Sequence, residues 1–240
     1  MPTFKSKIGR VLIPLAPVNR RTFDILRYEF TAWATRTKNV LNPVYWYAIG
    51  RLRARRGLSI NLGSGGTGRS SWINIELRRH RDTSICLDIR KRLPFSDCSA
   101  TRVLAEHVME HLDFRSDALN LAREVSRVLE PGGTFRVVVP DCERFLQAYV
   151  SSSAENWAAL GWDLRNMPHD IYTPIHIVNH TFHQGGEHLF GYDFDTLRFL
   201  LKKAGFSKVE RRRFRESHDN DLAIDLDVHR PYSLYVDAVK

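Results

Sequence analysis

The chain has 240 residues, of which 43% are hydrophobic and 26% are charged, a composition that suits a folded core and excludes a disordered chain. Its net charge of +9 is uneven, because residues 1–56 carry twelve Lys and Arg against Asp24 and Glu29, and the remaining residues sum to −1. Three cysteines are too few for a disulfide framework, which indicates a reducing compartment.

No apolar run in the sequence is long enough to cross a bilayer. Residues 11–18, VLIPLAPV, resemble the apolar part of a signal peptide, but two prolines interrupt them and no small-residue cleavage site follows. We therefore expect no secretion signal and a cytoplasmic location.

Residues 1–56 are predicted to form a basic, helical N-terminal extension. Phe23, Leu26, Phe30 and Trp33 recur at helical spacing within 20–38, and a second basic helix is expected over 44–56. Such a stripe more often packs against a core than forms a site. Basic charge mixed with Trp and Tyr also suits an anionic membrane surface at the inner face of the membrane. A solvated basic tail explains the charge equally well, and nucleic acid is disfavoured because no reading motif is present.

Residues 58–77, LSINLGSGGTGRSSWINIEL, contain the most informative local pattern. A short apolar strand ends at Leu62, a loop with Gly63 and Gly65 follows, and a second strand ends at Glu76. Glycine lets the backbone approach a ligand closely, and a carboxylate after the next strand can bind the hydroxyls of a ribose. The pattern therefore predicts an adenosine-containing ligand, although a tight connection without a ligand is the alternative.

The same glycines fit G-x-G-x-x-G, the dinucleotide fingerprint. NAD binding needs that loop to open a helix that holds the pyrophosphate, and only about eight residues separate the glycines from the next strand. The spacing therefore favours a ligand without a pyrophosphate, such as S-adenosylmethionine (SAM).

The remaining pattern predicts an α/β sheet with a mostly parallel core. Further strands are predicted at 84–87, 101–105, 134–139, 206–214 and 232–239, and helices at 115–129, 142–149 and 194–204. Residues 151–190 have no regular pattern, contain five histidines and are assigned as a substrate-side lid on position alone.

Six blocks in order, INLGSGG, INIE, LDIRKRLPFSD, LAEHVMEHL, VSRVLEPGGTFRVVVPD and LRFLLKKAGFSKVE, resemble a class I SAM-dependent methyltransferase. Within that class the chain is similar to small bacterial methyltransferases associated with surface-polysaccharide pathways. The resemblance covers residues 58–240 and implies one Rossmann-like methyltransferase domain over 57–240, with seven strands, the last antiparallel.

The resemblance also implies roles for individual residues. Gly63 and Gly65 would approach the methionine and ribose portions of SAM, Glu76 would bind the ribose hydroxyls, and Glu106 and His107 would face the transferred methyl group and the acceptor. The full set of cofactor-binding residues it implies is Asn61, Gly63, Ser64, Gly65, Glu76, Asp88, Ile89 and Glu106, with Asp88 and the Ile89 backbone at the adenine edge.

Two departures from the class are visible. Asn61 stands where most such enzymes have Asp or Glu, which weakens the usual anchor for the amino group of SAM. The helix that normally joins the first two strands is also missing, although the polysaccharide-associated group resembles the chain in both respects.

Residues 107–111 spell H-x-x-E-H, a zinc signature of one peptidase group. His107 and His111 would share one face of a helix and could chelate zinc. Some quinone-pathway methyltransferases place a metal at positions that match Glu106, Glu110 and His111. We favour the simpler expectation that Glu110 and His111 cap and solvate a helix start, with no metal.

These observations predict a methyltransferase that acts on the hydroxyl of a glycan, a glycolipid or another small molecule. His107 is the predicted general base, with His111, His183 or His188 as substitutes. Two other classes stay open, a non-catalytic SAM-binding module and a metal-dependent hydrolase that uses the H-x-x-E-H motif.

Overall fold

A computed structural model of the protein describes residues 19–240. The basic residues before Asn19 and the apolar segment 11–18 therefore lie outside the described residues. The strands are β1 (Leu58–Leu62), β2 (Ile73–Glu76), β3 (Ile85–Cys86), β4 (Ala100–Glu106), β5 (Leu129–Pro140), β6 (Lys208–Arg212) and β7 (Ser233–Val239). The helices are α1 (Arg20–Leu41), α2 (Pro43–Arg53), α3 (Leu119–Val128), α4 (Cys142–Ser151), α5 (Ala154–Ala159), α6 (Pro174–His183) and α7 (Phe194–Lys203).

The seven strands form one sheet in the order β3-β2-β1-β4-β5-β7-β6. Strand β7 runs antiparallel to both of its neighbours, and the strands from β3 to β5 are parallel to one another. The predicted seven-stranded Rossmann-like sheet with an antiparallel last strand is confirmed. The strand order reverses between β1 and β4, which places a ligand crevice at the carboxyl ends of these two strands.

The two faces of the sheet are covered differently. Side chains at alternate positions, such as Ile60, Val103 and Val137, pack into the main apolar core together with α3 and α7. The opposite positions include Ser59 and Arg102, which are hydrogen-bonded to each other. From this face, Arg102 contacts Asp219 and Arg136 contacts the carbonyl of Glu216, both in the segment 213–232 between β6 and β7. One face is thus covered by helices and the other by irregular chain.

The connection between β1 and β2 explains this asymmetry. Residues 63–72 contain turns and no helix, as expected from their number. A crossover helix at this place would have covered the sheet, and instead Arg69 in the connection donates a hydrogen bond to the carbonyl of Ile224. The segment 213–232 therefore covers the part of the sheet where a crossover helix between β1 and β2 would pack.

Arg136 in the middle of β5 fixes that segment to the sheet. Its guanidinium is fully buried and contacts both carboxylate oxygens of Asp225 at 2.6 and 3.0 Å and Asp237 at 2.9 Å. It also donates to the carbonyls of Glu216 and Arg213, at 2.7 and 3.2 Å. Because every donor has an acceptor, the cost of burying the charge is offset.

Two expectations from the sequence are wrong. Residues 151–190 are not irregular, because they contain α5 and α6, which form a second apolar core with α4 around Trp157 and Ile177. The stripe on α1 is not part of a core either, and its aromatic members are exposed, Phe30 by 66% and Trp33 by 55%. Helix α2 is bound to the main core through the buried Ile49. A domain division after residue 56 stays a prediction.

Replacing Arg136 by Met should lower the free energy of unfolding by about 3–5 kcal/mol, because the buried carboxylates of Asp225 and Asp237 would lose the guanidinium between them. Urea unfolding followed by circular dichroism measures the change. The matched control is Arg165→Met, since the pair of Arg165 with Asp163 is exposed and its loss should leave the unfolding midpoint unchanged. If both variants changed the unfolding midpoint equally, the buried ion pairs of Arg136 would not be what fixes the segment 213–232 to the sheet.

Candidate functional site

The glycine loop and Glu76 lie side by side at the carboxyl edge of the sheet. Strands β1 and β2 are paired with Leu62 opposite Ile75, so the loop and the end of β2 meet at one edge. The backbone N–H of Gly65 donates to Oε1 of Glu76 at 2.6 Å, and Leu77 N–H donates to Oε2 at 3.0 Å. The structure therefore brings together the two parts of the pattern found in the sequence.

The glycines of this loop serve different purposes. Gly63 has a φ of +62°, and a Cβ there would lie 2.5 Å from a methyl group of Val108, so the position needs glycine for packing. Around Gly65 and Gly66, in contrast, no atom lies within 4 Å of a Cβ position. The Oγ of Ser64 is buried without a hydrogen-bond partner among the described residues. The loop thus leaves free space and an unpaired hydroxyl beside Glu76.

Asn61 is buried below the loop and does not join Glu76. Its amide donates to Oδ1 of Asn74 at 3.3 Å, and that oxygen also accepts the backbone N–H of Arg69 at 2.9 Å. The amide of Asn74 donates in turn to the carbonyl of Arg69 at 2.9 Å. Asn61 therefore takes part in fixing the shape of the connection between β1 and β2.

Asp88, placed by the resemblance at the adenine edge, is buried and paired with two arginines. Arg90 donates to both of its carboxylate oxygens at 2.9 and 3.1 Å, and Arg36 of α1 lies 3.4 Å away. Burial alone would raise the pKa of this carboxyl, but the bonds from Arg90 outweigh it and hold the pKa below its usual value. Ile89 is partly buried against the main core.

Helix α1 is docked on this same edge by polar contacts. Glu29 accepts two hydrogen bonds from Arg90, at 2.5 and 3.2 Å. The amide of Asn39 donates to the carbonyl of Cys86 at 2.8 Å, and Thr35 donates to the carbonyl of Leu77 at 3.4 Å. The helix therefore covers the ends of β2 and β3, which the sequence pattern did not predict.

Glu106 at the end of β4 contacts the segment before β7. Its Oε1 accepts the backbone N–H of Leu226 at 2.9 Å and lies 3.0 Å from Nδ1 of His229. Burial raises the pKa of this carboxyl, yet the bonds from His229 and Leu226 together lower it below its usual value. The Oε1 atom of Glu106 is therefore held by two protein groups, the backbone N–H of Leu226 and the ring of His229.

His107 has a left-handed backbone conformation, with a φ of +54°, which is uncommon for a side chain other than Gly, Asn or Asp. Its Nε2 lies 2.9 Å from the Oγ of Ser233, and its Nδ1 lies 3.1 Å from Oε1 of Glu110. The ring stacks on that of His229, with 3.8 Å between centroids. Strained backbone of this kind is concentrated at functional sites.

Glu110 and His111 differ from the expectation that they solvate a helix start. They belong to a short 3₁₀ turn, Met109–His111, and Glu110 is 1% exposed. Neither carboxylate oxygen of Glu110 has a partner of hydrogen-bond geometry among the described residues. Burial raises the pKa of Glu110, but the neighbouring His107 and His111 outweigh burial and lower it below its usual value.

His107 and His111 do not share a helix face as the zinc signature would require, because the chain turns between them. Instead, Glu110 and His111 meet His188, which follows α6, with one possible ligand atom from each lying within 4.8 Å of the others. His188 is buried, and burial lowers its pKa below the usual value. His183, the other predicted lid histidine, is exposed at the end of α6.

Three contact residues of this site were missed from the sequence. His229 contacts Glu106, and Ser233 contacts His107. Each pair is more than 120 positions apart in the chain, and neither His229 nor Ser233 belongs to a recognisable motif. Arg90 follows Asp88 closely, but its partner on α1 could not be inferred from spacing.

Residues 71–137 match the model of a family described as a methyltransferase domain. The match covers less than a third of the chain, from the turn before β2 into β5. No protein of curated function matches the chain by sequence. Together with the strand order, the family match confirms the predicted enzyme class, a SAM-dependent methyltransferase, and its cofactor.

The chain is also similar to solved structures. A SAM-dependent methyltransferase from Thermotoga maritima is 17% identical, with 91% of this chain and 95% of that chain covered and a TM-score of 0.45. The 1,6-didemethyltoxoflavin-N1-methyltransferase of Burkholderia thailandensis, solved with 1,6-didemethyltoxoflavin and S-adenosylhomocysteine, is 14% identical, with coverages of 94% and 92% and a TM-score of 0.47. A SAM-dependent methyltransferase of Mesorhizobium loti is 18% identical, with 81% of this chain and 97% of that chain covered and a TM-score of 0.46. At these levels the likeness assigns no substrate.

Among the described residues, no helix is both long and apolar enough to cross a membrane.

Proposed function

We propose that the chain transfers the methyl group of SAM to a hydroxyl group of a glycan, a glycolipid or a similar small molecule, as part of surface-polysaccharide synthesis. The observation that carries the proposal is the position of His107 after β4, with the Glu110 carboxylate 3.1 Å from its Nδ1. A histidine supported by a carboxylate suits the removal of a hydroxyl proton near neutral pH.

The residues around the glycine loop fit an adenosyl ligand. The space at Gly65 and Gly66 and the unpaired Oγ of Ser64 suit the methionine and ribose portions, and the Glu76 carboxylate suits the ribose hydroxyls. Because Asp88 is already paired with arginines, we assign contact with the adenine to the backbone of Ile89 and a positioning role to Asp88.

The remaining proposed residues act at the reacting end. SAM, when bound, supplies a methyl group that is displaced from its sulfur as the acceptor oxygen forms the new carbon–oxygen bond. His107 takes the proton that leaves this oxygen, and Glu110 stabilises the resulting imidazolium. Nε2 of His107, which lies 2.9 Å from Oγ of Ser233, is the atom proposed to take the proton, and Glu106 is the carboxylate proposed to contact the cofactor. His111 is the second candidate base, and residues 151–190 are the proposed lid.

Replacing Glu76 by Gln should weaken binding of S-adenosylhomocysteine about ten- to a hundredfold, because hydrogen bonds to a charged acceptor are worth about 1.5–3 kcal/mol. Calorimetric titration measures the change, with NAD as a ligand that should not bind. The matched control is Asp82→Asn, an exposed carboxylate that should leave the affinity unchanged. An unaltered affinity in Glu76→Gln would exclude the ribose contact.

The His107→Asn variant should lose methyl transfer by about a hundredfold or more while its affinity for S-adenosylhomocysteine is kept, since it lacks the base. Asn is chosen because it tolerates the left-handed conformation of residue 107. The assay follows tritium from methyl-labelled SAM into alkyl glycosides, compared with the corresponding amino sugars.

Label that enters the hydroxyl acceptors in the wild-type protein and disappears in His107→Asn supports the proposed reaction. Label on the amino sugars alone would show that the protein methylates nitrogen and not oxygen. Unchanged methyl transfer in His107→Asn would show that His107 is not the base and would favour His111. Saturable binding of SAM without transfer to any acceptor would favour a non-catalytic module.

We further propose that α1 and α2 contact an anionic membrane surface, which would favour a lipid-linked acceptor. The face of α1 opposite its docking contacts is apolar and exposed and includes Phe30 and Trp33, and on α2 Val44 and Tyr47 are exposed by 71% and 69%. Residues 19–56 carry nine Lys and Arg against two acidic residues. This combination of aromatic side chains and basic charge suits the headgroup region of an anionic bilayer.

Vesicle co-sedimentation tests this contact. The protein should bind vesicles that contain phosphatidylglycerol, release them at high salt, and bind vesicles of phosphatidylcholine weakly. The double variant Phe30→Ser, Trp33→Ser should lose most of the bound fraction. The control is Phe199→Ser, an equally exposed aromatic residue on α7. Equal binding of both variants, or none by the wild-type protein, would contradict membrane contact.

A further inference from the structure

Glu110, His111 and His188 form a cluster, and the proposed methyl transfer gives no reason for their meeting, since it uses only Glu110 and, as an alternative base, His111. Possible ligand atoms of all three residues lie within 4.8 Å of one another. Glu110 is almost fully buried; Nδ1 of His107 lies 3.1 Å from its Oε1, but neither carboxylate oxygen has a partner of hydrogen-bond geometry among the described residues. Burying a carboxylate whose oxygens lack hydrogen bonds is costly, and a bound cation would offset that cost.

The two histidines are oriented by backbone carbonyls. Nδ1 of His111 lies 3.0 Å from the carbonyl oxygen of Glu187, and Nδ1 of His188 lies 2.7 Å from that of Thr181. A carbonyl oxygen can only accept, so each Nδ1 carries the proton and donates it. In the neutral ring, Nε2 then carries the lone pair that can bind a metal ion, and metal-binding histidines are commonly fixed in this way.

The backbone around the cluster is also fixed. The N–H groups of Leu189 and Phe190 both donate to the carbonyl of Glu110, at 2.7 and 3.2 Å. Phe190 stacks on Phe114, with 4.3 Å between ring centroids. The segment that carries His188 is thus bound directly to the turn that carries Glu110, so the three side chains are held near one another by the fold and not by chance rotamers.

We propose that Glu110, His111 and His188 bind a divalent transition-metal ion of the zinc class. Two imidazole nitrogens and one carboxylate are a ligand set typical of zinc sites that keep one position for water or substrate. Ligand atoms around such an ion are about 3.4 Å apart for metal–ligand bonds of about 2.1 Å, so binding would draw the ligand atoms together by up to about 1.4 Å. The exposed His111 gives the ion access from solvent.

The site differs from the zinc signature recognised in the sequence. His107 is not part of it, because both of its ring nitrogens face Ser233 and Glu110. His188 replaces it from a segment 77 positions away along the chain from His111. Glu110 also supports His107 in the proposed methyl transfer, but metal binding is measured without any acceptor, so the two proposals can fail separately.

Cobalt provides a direct test that does not depend on enzyme activity. The full chain, treated with a chelator and dialysed, should bind one equivalent of Co²⁺ and develop visible absorption bands of the intensity typical of four- or five-coordinate cobalt. Zn²⁺ should displace Co²⁺ and remove these bands. His188→Gln and His111→Gln should each weaken Co²⁺ binding by more than roughly a hundredfold, since the loss of a direct ligand exceeds the effect of its supporting residues.

The matched control is His183→Gln, which removes an exposed histidine five residues from His188 and should leave the absorption and the affinity unchanged. His111 is exposed, so its variant is expected to fold even if His188→Gln does not, and thermal unfolding checks both. Absence of the bands in the wild-type protein, or equal affinity in wild type and His111→Gln, would overturn the proposal.

Discussion

The short connection between β1 and β2 is the constraint on which the rest of the structure depends. Ten residues, 63–72, join two parallel strands without a helix, so one face of the sheet lacks the cover that a crossover helix would give. The segment 213–232 covers it instead, fixed by Arg136 and by the contact of Arg69 with Ile224. That segment also contributes His229, which binds Glu106. The missing helix and the composition of the site are thus two results of one short loop.

The stretch from Glu106 to His111 is where separate parts of the chain meet. Glu106 contacts the segment before β7, His107 contacts the start of β7, and Glu110 and His111 contact the segment after α6. Its backbone changes direction sharply, with a left-handed residue followed by a 3₁₀ turn. Because different parts of the chain contact Glu106, His107 and His111, the proposed cofactor contact, proton transfer and metal binding would share a small space.

The fold was predictable from the sequence because its signals are local. Alternating strands and helices, the glycine loop and the amphipathic α3 each depend on residues close in the chain. The contacts of the site were not predictable, because Arg136 pairs with Asp225 and Asp237 at separations of 89 and 101 residues. Arg136 interrupts an otherwise mostly apolar strand, but no local pattern points to its partners. The expectation that Glu110 and His111 cap a helix start failed for the same reason, since tertiary contacts place these residues in a 3₁₀ turn.

The pairing of Arg136 with Asp237 has a consequence for how the sheet assembles. These residues are direct cross-strand neighbours in the antiparallel pair of β5 and β7. A slip of β7 by one residue would turn Asp237 towards the apolar face packed by α3 and α7 and leave Arg136 opposite an aliphatic side chain. Either change would bury a charged side chain in an apolar environment without a partner of opposite charge. The last strand of the chain, inserted between β5 and β6, therefore has one register in which its charge is satisfied, and mispaired arrangements are penalised as the sheet closes.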